Sequence, residues 1–336
     1  MTSGPPVAPS PHRADSAGTR RSPLARRLTT VLFTLAGAAL LAWLVSRSHP
    51  AQLWVLVRQA APWLPALFLI EGVRIGVEAW GERRLYEGRM PYPTLLRATI
   101  VAYSVAALLP GGRAAGEAVK AGMLRARSRL EDTAAAATTI ETSSLVVLCA
   151  ASFLIAVAAL SASAVLAGAL AVQGCLVGIG ALFVAGIARS RGLVKLVARR
   201  WPRIAARLDA VSGRARATHL ARPIAAFAVS RALQVVEYGL LFYLVTRRVS
   251  LSAAVLSFGV ATLAGTVGDS VPVQIGVLEG AFASVQHALG LSPSGALAIA
   301  LLAHGPQIAW ALVGLVLPLV WRARARAREA TPPYPD

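Results

Sequence analysis

The chain encodes an all-α, polytopic integral membrane protein with about six full spans and two re-entrant, broken-helix hairpins in an inverted-repeat arrangement. Three observations carry that reading. Hydrophobic residues make up 56% of the 336, mean hydropathy is +0.61, and only 15% of residues are charged. Aromatics are 6%, so the apolar mass is Ala, Leu and Val, which suits packed helices better than a soluble β core. Apolar runs near the roughly 20 residues that cross a hydrocarbon core recur at 28–45, 62–80, 133–160, 164–188, 223–246 and 294–321. Two more, 94–109 and 251–289, carry or abut a matched pair of breaks.

Taken in order, residues 1–27 form a Pro-, Ser- and Arg-rich tail expected to be disordered. Thr19-Arg20-Arg21-Ser22 before an apolar run is similar to a twin-arginine signal. The run from Leu28 to Val45 is long, however, and no small-x-small cleavage site follows, so an uncleaved first span is expected. Residues 51–60 form a short amphipathic segment suited to the outer interface. The span 62–80 carries Glu71, Arg74 and Glu78 at i, i+3 and i+7, one side of a helix, where Arg74 can pair with either acid. In 189–222, Leu193, Val197, Trp201, Ile204, Leu208 and Val211 recur at steps of four and three. That stripe predicts helices lying in the cytoplasmic interface, broken at Pro202.

The breaks are Leu108 to Lys120 and Val271 to Gly280. Each places a proline, a glycine and a glutamate within one or two turns: Pro110, Gly116 and Glu117 in the first, Pro272, Gly276 and Glu279 in the second. Proline removes a backbone donor and glycine tolerates turns, so both sites interrupt a helix. In a bilayer, freed backbone groups survive only where protein or a wet cavity satisfies them. One Gly/Pro-broken apolar segment in each half is the sequence pointer to a transporter's binding site.

The formal net charge of +19 concentrates outside the spans: +4 in 1–27, +9 in 189–222 and +2 in 322–336. Basic residues flanking spans mark the cytoplasmic side, so the charge reports orientation and argues against nucleic acid as partner. With the N-terminal tail inside, spans 28–45 and 62–80 go out and back. Residues 94–127 then form a hairpin from the cytoplasmic face, turning at Pro110-Gly111-Gly112. Spans 133–160 and 164–188 follow, 223–246 goes out, 251–289 turns back near Gly268 to Gly276, and 294–321 returns inside. Both termini are then cytoplasmic, in a multi-pass protein of the cell (inner) membrane. Cys149 and Cys175 sit in spans, the five histidines lack metal-like spacing, and no metal or cofactor motif occurs.

A charge at mid-bilayer costs roughly 2.5–3.5 kcal/mol, so each needs a partner or a wet cavity. Glu71 with Arg74, and Arg231 with Gln234 and Glu237, read either as intramembrane pairs gluing helices or as functional charges. Glu141 and Asp269 join the same set, and Glu78 reads as interfacial. Arg113, Glu117, Lys120 and Glu279 stand beside the breaks, where free N–H groups suit a lipid phosphate. Arg113 and Lys120 add positive charge there, while Glu117 and Glu279 suit a cationic headgroup or a proton. His304, near Gln307, is a titrating group or a hydrogen-bonded core histidine.

Pro110-Gly-Gly-Arg-Ala-Ala-Gly-Glu-Ala-Val-Lys120 resembles the P-G-G-x-G-G-[DE]-x-x-R element of the lysylphosphatidylglycerol synthase transmembrane region, or flippase-like, family. Gly276-Val-Leu-Glu-Gly-Ala281 resembles its G-V-x-E-x-A element, and Leu289 to Leu302 its L-G-L-S-x-x-x-A-x-A element. The three occur in family order within 28–321. Lys120 and His304 stand where Arg is usual, and neither can fork onto phosphate as Arg does. The chain ends soon after its last span, so this is expected to be a stand-alone membrane part without the aminoacyl-transfer domain. The resemblance implies a lipid or lipid-linked-headgroup translocase of the bacterial inner membrane, with anionic or phosphate-bearing lipids as partners and a homo-oligomer left open. An integral membrane enzyme modifying a lipid, or a non-transporting accessory of envelope lipid synthesis, is the alternative.

Overall fold

A computed structural model describes residues 23–86, 90–109, 112–125, 127–128, 130–189, 220–268, 271 and 274–330. The described residues are all-helical. In chain order the α-helices are α1 (Pro23–Arg47), α2 (Pro50–Ala60), α3 (Leu64–Arg83), α4 (Tyr92–Leu108), α5 (Gly112–Leu124), α6 (Leu130–Ala159), α7 (Ala164–Arg189), α8 (Ala221–Thr246), α9 (Leu251–Gly268), α10 (Val277–Val285) and α11 (Pro293–Ala330). Proline starts several of them, at or next to the first helical position of α2, α3 and α4, where the missing N–H has no intrahelical partner to lose.

Among the described residues, six segments are long and apolar enough to cross a membrane: Pro50–Tyr86, Asp132–Ala159, Ala164–Gly186, Ala221–Thr246, Leu251–Gly268 and Pro293–Trp321. Large aliphatic side chains such as Leu154, Val165, Leu182 and Leu319 are exposed along α6, α7 and α11. An apolar exterior of that extent is stable only against lipid. The chain is a polytopic membrane protein.

Both breaks become hairpins. In the first, α4 and α5 pack antiparallel around residues 109–111. Gly112 and Gly116 let α5 lie directly on α4: a β-carbon at either would strike the backbone carbonyls of Ala106 or Ala102. In the second, α9 runs 18 residues, long enough to span rather than merely re-enter, and α10 only nine. Gly276 adopts φ +83° at the start of α10, conformational space open to glycine. It sits against Gly37 of α1 so closely that a β-carbon on either would overlap the other strand of backbone. Pro110, Gly111, Pro272 and Asp269 lie outside the described residues, as do 190–219, where the interfacial stripe was expected.

The main apolar core joins α6 to α11, with Phe282, Leu170, Leu241, Leu278 and Ile299 fully or almost fully buried. A second cluster, Tyr86, Met90, Leu95, Ala98, Leu124 and Ala136, closes one end of the first hairpin. Gln173 of α7 donates to the Thr262 carbonyl at 2.9 Å and to Thr266 Oγ1 at 2.7 Å, tying α7 to α9. Trp310 of α11 stacks on Phe68 at 4.6 Å and donates its indole N–H to the Phe68 carbonyl at 2.8 Å.

Candidate functional site

One face of α3 builds the wall of the site. Glu71, Arg74, Glu78 and Glu82 follow at steps of three and four, a stripe that runs one turn beyond the three residues first singled out. Arg74 holds two acids at once: it donates to both Glu71 oxygens, through Nε at 2.7 Å, and to Glu78 Oε1 at 3.2 Å. Tyr103 Oη of α4 donates to Glu71 at 2.7 Å, and Ser230 Oγ of α8 donates to Glu78 at 2.6 Å. Glu78 is therefore part of the network and not a bystander at the interface.

The first hairpin brings its charges onto that stripe. Lys120 Nζ reaches Glu82 Oε2 at 2.8 Å and Glu117 Oε1 at 2.7 Å, and Tyr86 Oη donates to Glu82 at 3.2 Å. The Lys120 and Glu82 side chains are 4% and 2% exposed, so this pair is dry. Desolvation offsets much of the Coulomb gain of such a pair, but losing one partner strands a buried charge. Arg113 pairs with Glu141 of α6 at 3.0 Å with both ends open to solvent, at 45% and 35% exposure.

Between these groups lies a cavity of about 300 Å³. Arg74, Glu78, Glu82, Arg113, Glu117 and Lys120 line it, with Arg231 and, from the second break, Val271 and Gln274. A second cavity of about 290 Å³ adjoins it and shares Arg113, Arg231, Gln274 and Gln307. Gln274 holds a left-handed φ of +55°, unusual for a side chain of its size. Its side chain folds back over Gly265 and Gly268. Both broken hairpins thus contribute walls to one charged hollow inside an apolar shell.

The residues expected from sequence divide into three groups. Arg113, Glu117 and Lys120 meet in the cavity with Gly116. Glu279 and His304 meet each other instead, Oε1 to Nε2 at 3.1 Å, in the core rather than on the cavity lining. The other Glu279 oxygen accepts the Gly276 N–H at 2.8 Å and so caps α10. Neither His304 nitrogen has a hydrogen-bond partner among the described residues. Glu71 and Arg74 pair, whereas Arg231 donates to Gln234 at 2.7 Å and makes no ion pair with Glu237 among the described residues. The cause is angular: six residues along a helix turn the side chain by about 120° from the starting direction, while three bring it nearly back.

Glu82, Tyr103 and Gln274 were missed from sequence. Glu82 had a signal, since it continues the 71-74-78 stripe. Tyr103 and Gln274 had none short of the tertiary fold.

No curated protein and no solved structure matches the chain. The family model described as the lysylphosphatidylglycerol synthase TM region matches residues 28–315, from the first span to within the last, and covers both breaks and every residue of the cavity. The chain belongs to the lysylphosphatidylglycerol synthase transmembrane region family.

Proposed function

We propose that the protein moves a phosphate-bearing lipid, or a lipid-linked headgroup, between the leaflets of the cell membrane. The observation that carries this is the cavity itself: a charged hollow walled by two broken hairpins, enclosed by helices whose outer faces are apolar. A headgroup crossing hydrocarbon alone must shed its water without replacement, at a cost of several kcal/mol for each polar group. A polar path between helices replaces that water while the acyl chains stay in lipid. Membership of a family tied to lipid modification or translocation supports the same substrate class.

In this reading the ion pairs have separate tasks. Arg113, paired in the open with Glu141, exchanges partners cheaply, because exposed pairs contribute only about 0–1 kcal/mol. Lys120, held dry between Glu82 and Glu117, fixes the hairpin against α3 and leaves Glu117 facing the cavity. With the basic segments on the cytoplasmic side, this reading has both termini in the cytoplasm and the two hairpins opening toward opposite leaflets.

The test is purified protein in phosphatidylglycerol vesicles carrying a trace of labelled lipid. Faster exchange of label between leaflets with every lipid mass unchanged is the expected result. A new covalent lipid product without faster exchange overturns it in favour of a membrane enzyme.

A further inference from the structure

Every other cation lining the cavity already has a carboxylate. Arg74 holds Glu71 and Glu78, Lys120 holds Glu82 and Glu117, and Arg113 holds Glu141. Arg231 of α8 is the exception among the described residues. Its only hydrogen bond goes to the neutral amide of Gln234, at 2.7 Å, and its Nε is buried with no acceptor. The nearby acid that lines the same cavity, Glu78, is already shared by Arg74 and Ser230. A guanidinium offers five donors in a planar fork and keeps its charge in any setting. Removing it from water without a counter-charge costs several kcal/mol.

The position of this orphan is as telling as its state. Arg231 lines both cavities, at the place where they meet, and Gln274 and Gln307 line both beside it. Each glutamine amide can add N–H donors to the guanidinium fork. Arg113 also lines both cavities and is held only by an exposed pair. Together these four side chains put two cations and two amides around one volume, and the Arg231 guanidinium holds no carboxylate of its own among the described residues. Such a set fits a singly charged oxyanion, which a guanidinium grips through two parallel hydrogen bonds.

We propose that Arg231 is the seat of the ligand's phosphodiester, with Gln274 and Gln307 as flanking donors. This rests on the translocase reading for the identity of the ligand as a lipid, but not for the oxyanion chemistry. Arg231 is then not glue between helices. It is the residue by which the protein tells a phosphate-bearing lipid from an uncharged one of the same chain length. Glu117, whose Oε2 is also buried without a partner, faces the same cavity and marks where a hydroxyl or amine of the headgroup would be met.

The test is direct binding, measured apart from transport. Detergent-purified protein is offered equal phosphatidylglycerol and diacylglycerol, and the lipid retained is read by native mass spectrometry. Wild type should prefer phosphatidylglycerol. Arg231→Gln should lose that preference by about tenfold to a hundredfold, as expected for one charge-assisted contact. Thermal unfolding of the same samples checks that each variant is folded. Arg231→Lys keeps the charge without the fork and should fall between the two. Preference at the wild-type level in both variants overturns the proposal. Inorganic phosphate in millimolar excess separates the two sources of the anion. If it leaves phosphatidylglycerol bound, the seat is for lipid; if it displaces the lipid equally from wild type and Arg231→Gln, the seat is elsewhere. Loss of preference in Arg231→Gln, with a wild type that moves no lipid in vesicles, would keep the seat and remove the translocase. Transport by a variant with unaltered preference would do the reverse.

Discussion

Replacing Lys120 by Met should be strongly damaging, and the damage should be reversible by a second change. Lys120 has two acids: Glu82, where both side chains are at most 4% exposed, and Glu117, which is 29% exposed. Removing the ammonium leaves the Glu82 carboxylate in a dry setting with only Tyr86 to donate to it. Breaking a buried pair in this way costs about 3–5 kcal/mol. The Glu117 arm, partly exposed toward the cavity, accounts for no more than about 1 kcal/mol of it. Glu82→Gln alone leaves Lys120 its second acid and should cost about 1–3 kcal/mol. In Lys120→Met with Glu82→Gln no dry charge is stranded, so most of the loss should return, a coupling of roughly 2–4 kcal/mol. Unfolding of the detergent-purified single and double variants in a denaturing-detergent titration measures this. Additive losses, within about 0.5 kcal/mol, would refute the claim that Lys120 and Glu82 form one dry unit.

Further outcomes follow from the same geometry. Gly276→Ala should lower membrane abundance, because φ +83° and the Gly37 backbone both oppose a β-carbon, at about 1–2 kcal/mol for the backbone conformation alone. Gly122→Ala, where a β-carbon meets nothing within 4 Å, should be neutral or stabilising by up to about 1 kcal/mol in the same blot. Glu279→Gln keeps an oxygen to accept the Gly276 N–H and should hold abundance near wild type. Glu279→Ala should lose about 1–3 kcal/mol in a thermal-shift measurement. Reporter fusions after Ser48, Arg200, Arg248 and Arg322 should read outside, inside, outside and inside; an outside signal at Arg200 would invert the topology argued from charge.

The parts of this molecule that sequence made readable are those governed by local rules. Apolar run length marked the spans, and the Pro/Gly breaks marked both hairpins, because backbone hydrogen bonding in lipid leaves few alternatives. The Glu71–Arg74 pair was readable because three residues on a helix share a face. What required the fold were partners far apart in the chain. Lys120 and Glu82 are 38 residues apart and meet only once α5 has packed on α4, which in turn packs on α3. Glu279 reads from sequence as a residue beside the second break and His304 as a titrating or core histidine; only the fold sets the two side by side in the core, with Glu279 capping α10. Arg231 reads from sequence with Gln234 and Glu237; it meets Gln234, three residues on, while Glu237, six residues on, lies on another face. Among the described residues, Arg231 is thereby the cavity's cation without an ion pair.

The central claim is that the cavity between the two breaks is the path of a lipid headgroup, and the most direct measurement compares leaflet exchange for three proteins. Wild type, Arg113→Ala and Glu117→Gln are reconstituted at equal density in vesicles containing labelled phosphatidylglycerol, and the label reaching the opposite leaflet is followed in time. Wild type should accelerate exchange above protein-free vesicles, and both variants should fall to the protein-free rate while remaining folded. Exchange at the wild-type rate in both variants would contradict the account.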